Sequence, residues 1–179
     1  FYSCKSLTKI AIPSSVTSFG DFIFNGIESL EITGDIQHIP KKLFFECSSL
    51  TQITIPSSVT SIENNAFSRC LSLTQITIPS SITKIEDSTF YSCKSLTKIA
   101  IPSSVTSIGN YAFKGCSSLT EITIPSSVNS IGYYAFCDCS SLTQISIISS
   151  ITKIEDYFFT GCSSLTQIII HSSVTEIGN

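Results

Sequence analysis

Residues 50–70 read LTQITIPSSVTSIENNAFSRC, and this pattern recurs along the whole chain of 179 residues. The spacing is 23 residues, and the cysteines show it most clearly: Cys47, Cys70, Cys93, Cys116, Cys139 and Cys162. One leucine, two isoleucines and one phenylalanine return with the same spacing. Self-similarity at such a fixed period indicates a repeat architecture. Because so short a unit cannot bury a core alone, we expect neighbouring units to stack and share one core.

The period divides the chain into units that we predict to form one continuous array over residues 1–179. The units are 4–26, 27–46, 47–69, 70–92, 93–115, 116–138, 139–161 and a truncated 162–179. The unit 27–46 has only 20 residues, and counting back from Cys47 predicts that three residues are missing between Leu30 and Ile36. Since both ends fall inside a unit, we expect a fragment of a longer protein.

One unit predicts a strand followed by a turn. Two isoleucines alternate with Gln52 and Thr54 in a period of two, which is typical of a strand with one buried face. Pro56 follows, and it ends the strand because it has no N–H to donate. The Ser-Ser pair after it suits a turn. The segment NNAF at 64–67 is long enough for one turn of 3₁₀ or α-helix. Stacked units place equivalent strands side by side in a single parallel sheet.

The pattern resembles the BspA-like leucine-rich repeats. The stretches at 50–70 and 119–139 (LTEITIPSSVNSIGYYAFCDC) share the Leu, Ile, Ile-Pro, Val, Ile, Ala-Phe and Cys positions of that family. The resemblance implies a leucine-rich-repeat solenoid with its parallel sheet on the concave face. Short β, 3₁₀ or one-turn helical segments would form the convex side. It also implies adhesion or partner binding on a cell surface, with a minority of intracellular regulators.

The composition argues against two classes of partner. Charged residues make up only 13% of the chain, the net charge is −3, and no basic patch is present, so we expect no nucleic-acid binding. No apolar run approaches the roughly 20 residues of a spanning helix, so we expect no membrane insertion by this segment.

Of the eight cysteines, all but Cys137 are expected to be core residues rather than disulfides or metal ligands. An in-register column makes the Cβ vectors parallel, which is poor geometry for a disulfide. Only Cys137 and Cys139 are close in sequence, and neither histidine is near them. Cys137 lies in a column that accepts many residue types, so we expect it to be exposed, and it is a candidate reactive thiol.

No catalytic, cofactor-binding or metal site is predicted. The two histidines, His38 and His171, lie about five units apart, and stacked coils do not bring such positions together with a nucleophile and an acid. The recurring Glu-Asp pairs at 86–87 and 155–156 are expected to form a solvated rim. We therefore expect a non-enzymatic protein without a cofactor.

Two surfaces are candidate contact sites. The first consists of the outward-facing residues of the strands, the face that leucine-rich repeat proteins generally use to bind partners. Its predicted members are Lys9, Gln52, Thr54, Gln75, Thr77, Lys98, Glu121, Thr123, Gln144 and Gln167. The second is an aromatic patch of Tyr111, Tyr133, Tyr134 and Tyr157. These tyrosines suit protein contacts, and equally they could pack on one another to cover the core.

Three functions remain open at this point. The first is a protein-binding module, part of a cell-surface or secreted adhesin that binds host matrix or plasma proteins. The second is an intracellular scaffold or regulatory subunit that binds an enzyme, which free cysteines favour because they are rare in oxidising compartments. The third is a self-associating structural repeat that stacks end to end or pairs through strand edges.

Overall fold

The computed structural model describes residues 1, 4–20, 22–148 and 150–178, which wind into successive coils of a parallel β-solenoid. The described strands are β1 Lys9–Ala11, β2 Ser29–Thr33, β3 His38–Ile39, β4 Gln52–Thr54, β5 Ser61–Ile62, β6 Gln75–Thr77, β7 Lys84–Ile85, β8 Lys98–Ala100, β9 Ser107–Ile108, β10 Glu121–Ile124, β11 Ser130–Ile131, β12 Gln144–Ile147, β13 Lys153–Ile154, β14 Gln167–Ile170 and β15 Glu176–Ile177. The predicted solenoid class is confirmed.

The longer strands form one side of the solenoid, which we call the main sheet. Strands β1, β2, β4, β6 and β8 form a five-stranded parallel sheet, and β10, β12 and β14 form a three-stranded one. At the junction of the two sheets the Thr120 N–H reaches the Thr97 carbonyl at 3.4 Å, compared with 3.0 Å from Thr74 to Thr51. The two-residue strands pair in smaller parallel sheets on the other side, which we call the second leg.

The main-sheet strands form because alternate residues are β-branched and buried. Ile53, Ile76 and Ile99 are at most 6% exposed, whereas Gln52 and Thr54 face solvent. A proline follows many of these strands and opens a turn; in one of them the Val59 N–H donates to the Pro56 carbonyl at 3.1 Å. This turn reverses the chain toward the second leg, as the sequence predicts.

A continuous stack of phenylalanine rings runs through the core. Neighbouring rings lie 5.0 to 5.9 Å apart between centroids and within 19° of parallel; in order they are Phe1, Phe24, Phe44, Phe67, Phe90, Phe113 and Phe136. All of these rings except Phe1 are at most 1% exposed. The parallel stack ends where Phe158 meets Phe136 at 54°. One core therefore serves every coil, and each coil depends on its neighbours.

A column of cysteine thiols runs beside the ring stack. The Cys93 Sγ donates to the Phe67 carbonyl at 3.1 Å, and Cys70, Cys116, Cys139 and Cys162 make the equivalent bond at 3.1 to 3.2 Å. All the cysteines in the described residues are free. Burial raises the pKa of Cys93 to about 12. The buried thiols of this column therefore stay protonated at neutral pH and act as core groups. Cys4 is exposed, so the expectation that it lies in the core is wrong.

The segment that returns from the second leg to the main sheet is a run of turns, and the described residues form no helix there or elsewhere. The N–H groups of Asn65, Phe67 and Arg69 donate to carbonyls of the next coil, 22 residues on, at 2.7 to 3.0 Å. The intervening N–H groups of Ala66 and Ser68 donate three residues back within the coil, each at 3.1 Å. Because every second donor is used between coils, the predicted helical turn does not form.

Each coil holds two backbone positions of this segment in the left-handed region. The first position has φ of 55 to 62° and carries Phe22, Lys42, Asn65, Ser88, Tyr111, Tyr134 and Tyr157. This conformation costs a non-glycine residue about 1 to 2 kcal/mol. The bonds between coils hold it, since the Ser88 and Tyr111 N–H groups donate to the next coil at 2.9 Å. We call this series the left-handed column; its backbone is constant while its side chain varies.

Gly109 and Gly132 allow a close approach between coils at two side-chain bridges. Asp87 Oδ1 accepts from the Asn110 N–H at 2.7 Å, and Asn110 Oδ1 accepts from the Tyr133 N–H at 2.9 Å. A Cβ atom on Gly109 would lie 2.5 Å from Asp87 Oδ1, and one on Gly132 would lie 2.5 Å from the Asn110 backbone nitrogen. Each bridging side chain, Asp87 or Asn110, therefore requires a glycine at the facing position of the next coil.

The shortened unit 27–46 differs from the sequence-based placement of its missing residues. Phe24 stacks on Phe44, twenty residues on, but Ser29 pairs with Gln52, twenty-three residues on. The three residues are thus missing between Phe24 and Ser29, before the strand, and the placement between Leu30 and Ile36 is wrong. In the sequence Leu30 resembles the leucine that recurs every 23 residues, such as Leu50. In the structure it pairs instead with Ile53 of the next strand.

Candidate functional site: the main-sheet face and the aromatic edge

The outer face of the main sheet is largely polar. Its first row pairs Gln52 with Gln75 and Gln75 with Lys98, and a later segment pairs Glu121 with Gln144 and Gln144 with Gln167. The neighbouring row contains Thr54, Thr77, Ala100, Thr123 and Ser146. All the predicted contact residues of this face are exposed except Gln144, which is half-buried.

One ion pair on this face lies at the junction of the two sheets. Lys98 Nζ lies 3.4 Å from Glu121 Oε1, and both side chains are well exposed. A shallow depression of about 330 Å³ lies beside this pair, between Gln52, Gln75 and Lys98. The face therefore offers amide and hydroxyl groups on both sides of this neutralised ion pair.

Lys9 lies outside the row in which the sequence places it. It pairs with Glu31, and Glu31 pairs with Thr54, so Lys9 belongs to the threonine row rather than to the row of Gln52. In the preceding strand the residue paired with Gln52 is Ser29, whose Oγ accepts a hydrogen bond from Gln52 Nε2 at 3.0 Å. The Lys9 ammonium forms an ion pair with Glu31 at 3.0 Å. This change of register follows from the position of the missing residues in the shortened unit.

The predicted tyrosine patch lies on the turn side, along the left-handed column. Tyr111 and Tyr134 stack at 5.3 Å and 11°, and Tyr134 and Tyr157 stack at 5.2 Å and 4°. Tyr111 and Tyr157 nevertheless remain 39% and 48% exposed, and Tyr133, in the adjacent column, is 52% exposed. The tyrosines thus pack on one another and also present a surface, which we call the aromatic edge.

Lysine and arginine side chains lie near aromatic rings on this side of the coils. Lys114 Nζ lies 5.9 Å from the centre of the Tyr111 ring and 5.3 Å from that of Tyr134, within the range of a cation–π contact. Partial burial lowers the pKa of Lys114, but the nearby Cys137 and Asp138 outweigh it and the net shift is upward. Arg69 lies over the Phe45 ring at 6.0 Å. Neither Arg69 nor Phe45 was predicted from the sequence, because the prediction followed recurring tyrosines and these two residues lie outside that series.

Cys137 is buried, so the expectation that it is exposed is wrong. Only 3% of the residue is exposed, and its Sγ lies 3.4 Å from Asp138 Oδ2. Burial, and then the hydrogen bond and charge of Asp138, raise the pKa of this thiol. Because the thiolate is the reactive form, the side chain is a poor nucleophile.

The histidines occupy separate polar sites. The Nδ1 atom of His38 lies 2.7 Å from Ser61 Oγ, and that of His171 lies 3.1 Å from Ser173 Oγ. Within the described part of the chain, no three His, Cys, Asp or Glu side chains are grouped so as to hold a metal ion. No helix formed by these residues has the length and apolar character needed to cross a membrane.

The geometry defines a leucine-rich-repeat solenoid, and comparison with known proteins gives the family. The family model for the BspA type leucine rich repeat region, with six copies, matches residues 1–97 and 83–179. The chain belongs to the BspA-type leucine-rich repeat family, which confirms the resemblance seen in the sequence. Proteins with such repeats generally act through protein–protein contacts. Comparison with curated proteins gave no match.

Several solved structures are similar along nearly the whole chain. A leucine-rich repeat protein of T. pallidum is 28% identical with a TM-score of 0.79, covering 96% of this chain and 73% of that one. A leucine-rich repeat protein of Bacteroides ovatus is 31% identical with a TM-score of 0.71, covering 96% and 48%. A leucine rich cell surface protein of Faecalibacterium prausnitzii is 31% identical with a TM-score of 0.70, covering 97% and 57%. The chain thus spans about half the length of the last two.

Proposed function

We propose that the chain is a non-enzymatic protein-binding module of a cell-surface or secreted adhesin, and that its main-sheet face binds host matrix or plasma proteins. The observation that carries this proposal is the exposed, regular face formed by the glutamine and threonine rows. Stacked repeats present extended surfaces of this kind, and partners bind along several coils at once. The similar protein of F. prausnitzii is described as a cell surface protein.

The chemistry of the face favours a polar partner with little net charge. Glutamine supplies one acceptor and two donor hydrogens, and threonine supplies a hydroxyl that both donates and accepts. The charged residues near the centre, Lys98 and Glu121, neutralise each other at 3.4 Å. Recognition by this surface therefore relies on hydrogen bonds and shape rather than on a strong electrostatic field.

The buried thiols weaken one argument for the intracellular alternative, although Cys4 is exposed. Free cysteines are rare in oxidising compartments because exposed thiolates oxidise. Here Cys70, Cys93, Cys116 and Cys139 are fully buried, and burial is the main cause that raises the pKa of each. Thiols that are neither exposed nor ionised are compatible with a cell surface.

The experiment compares two double variants of equal charge. Thr77→Arg/Thr123→Arg places two bulky cations on the main-sheet face, and Thr83→Arg/Thr152→Arg places two on exposed positions of the second leg. Binding to immobilised matrix and plasma proteins is measured by biolayer interferometry, with the oligomeric state checked by sedimentation. We expect the binding affinity to fall at least tenfold for the first variant and to change less than twofold for the second. Equal binding by both variants contradicts the proposal, and a concentration-dependent mass supports self-association instead.

A further inference from the structure

A groove of about 430 Å³ lies at the end of the aromatic edge, next to Tyr111. Aromatic rings bound it on both sides, with Phe45 at one side and Tyr91 and Tyr111 at the other. Between them the repeat carries small side chains: Ser88 in the left-handed column, and Ser68 in the column that also holds Phe45 and Tyr91. The groove therefore exists because serine replaces an aromatic residue at two neighbouring positions.

One wall of the groove presents an open ring face. Tyr134 stacks on one side of Tyr111 at 5.3 Å and covers that face. The coil on the other side of Tyr111 has Ser88 at the equivalent position, which has no ring to cover the second face. Tyr111 is accordingly 39% exposed and lines the groove. A flat ligand ring with apolar C–H groups fits such a face.

The groove lining contains two cationic side chains, although the whole chain is acidic. Its lining includes Arg69 and Lys114 and no carboxylate, whereas the net charge of the chain is −3. Glu46 pairs with Arg69 at 2.8 Å and Asp138 lies 3.8 Å from Lys114, both from outside the lining. Arginine keeps further N–H donors after one such contact, and its planar fork suits oxyanions.

The backbone around the groove has no free strand edge to offer. The N–H groups of Asn65, Arg69 and Ser88 already donate to the next coil at 3.0, 2.7 and 2.9 Å. Binding of an extended peptide by strand addition needs such free donors. Recognition here must come from side chains: an open aromatic face, serine and asparagine groups, and two cations.

We propose that this groove binds a sulfated sugar of an acidic polysaccharide chain. The sugar ring lies on the open face of Tyr111, its hydroxyl groups meet Asn65 and Ser88, and the sulfate lies between Arg69 and Lys114. The site is on the turn side of the coils, so it is separate from the main-sheet face and independent of the protein partner bound there.

The test measures binding of a fluorescently labelled, heparin-derived hexasaccharide by anisotropy, with its desulfated form as the ligand control. Ser88→Tyr fills the groove without changing the charge, and the fold tolerates it because Tyr111 and Tyr134 adopt the same backbone conformation. Arg69→Gln/Lys114→Gln removes the cations, and Lys84→Gln/Lys98→Gln removes the same charge from elsewhere on the surface. Circular dichroism confirms that each variant is folded.

We expect saturable binding of one hexasaccharide, at least tenfold weaker in Ser88→Tyr and in Arg69→Gln/Lys114→Gln, and changed less than twofold in Lys84→Gln/Lys98→Gln. The desulfated hexasaccharide should bind at least tenfold more weakly. Absence of binding, equal loss in both double variants, or unchanged binding by Ser88→Tyr overturns the proposal. Tighter binding of a sulfotyrosine peptide at the same site overturns the assignment of the ligand to saccharides. The main-sheet variant Thr77→Arg/Thr123→Arg should bind the hexasaccharide normally, which separates this site from the proposed protein-binding face.

Discussion

Replacing Phe90 by alanine tests whether the ring stack is the main source of stability. The Phe90 side chain is fully buried, and its ring lies 5.7 Å from Phe67 and 5.5 Å from Phe113, nearly parallel to both. The backbone cannot close over the gap, because the Phe90 N–H is fixed to the Ala112 carbonyl at 2.8 Å. The substitution therefore leaves a cavity in the middle of the array.

The expected loss in the free energy of unfolding lies at the upper end of the range for buried Phe→Ala substitutions. A buried phenylalanine replaced by alanine costs about 3 to 5 kcal/mol, and more where the site cannot collapse. Stacked aromatic pairs add about 0.5 to 1.5 kcal/mol each beyond area burial, and Phe90 has two such neighbours. We therefore expect a loss of about 4 to 5 kcal/mol in the free energy of unfolding.

The assay is guanidinium unfolding followed by circular dichroism, with labelling of the flanking Cys93 and Cys116 as a local probe. Phe22→Ala is the control, because Phe22 is 43% exposed and has one tilted ring contact at 6.4 Å; it should cost less than about 1 kcal/mol. A loss below about 2 kcal/mol for Phe90→Ala, or equal losses for both variants, would refute the idea that the stack carries the fold.

Further substitutions and a change of pH test other contacts. Gly132→Ala should cost about 1 to 3 kcal/mol in thermal or chemical unfolding, because its Cβ would lie 2.5 Å from a backbone nitrogen of the preceding coil. Gly20→Ala meets its nearest atom at 3.4 Å and should be tolerated. Burial raises the pKa of Cys93 from 9.0 to about 12, so the native state keeps a proton that the unfolded state loses. The free energy of unfolding should therefore fall as the pH rises from 9 to 12, and the fall should be smaller in Cys93→Ala. Lys98→Gln should change the stability by less than about 0.5 kcal/mol, because the ion pair with Glu121 is exposed.

The period of the sequence predicted the solenoid because burial repeats with the coil. The alternation around Ile53 predicted the strand, and the phenylalanine spacing predicted one core row. The same counting misplaced the missing residues of the shortened unit, since Leu30 resembles a different position of the repeat. Only the stacking of Phe24 on Phe44 and the pairing of Ser29 with Gln52 locate the missing residues.

The surface was less predictable, because exposure depends on the direction of each side chain. The sequence predicted an exposed Cys137 from the variety of residues in its column, but the packing of Lys114 and Asp138 around it leaves 3% exposed. The groove at Ser88 was also missed, because it arises from the absence of a ring. A signal was present in the sequence: the left-handed column is aromatic in three successive coils and small in the coil before them.

The glycines that admit the side-chain bridges limit how coils can be exchanged during evolution. Loss of the unit 93–115 from the gene would place the coil of Asp87 next to the coil of Gly132. The Asp87 side chain would then still face a glycine, so its bridge would fit. Loss of the unit 116–138 would place Glu155 above Asn110, where the present structure leaves no space for a Cβ atom. Recombination between near-identical coils is therefore constrained by which coil comes next, even where the two coils have the same length.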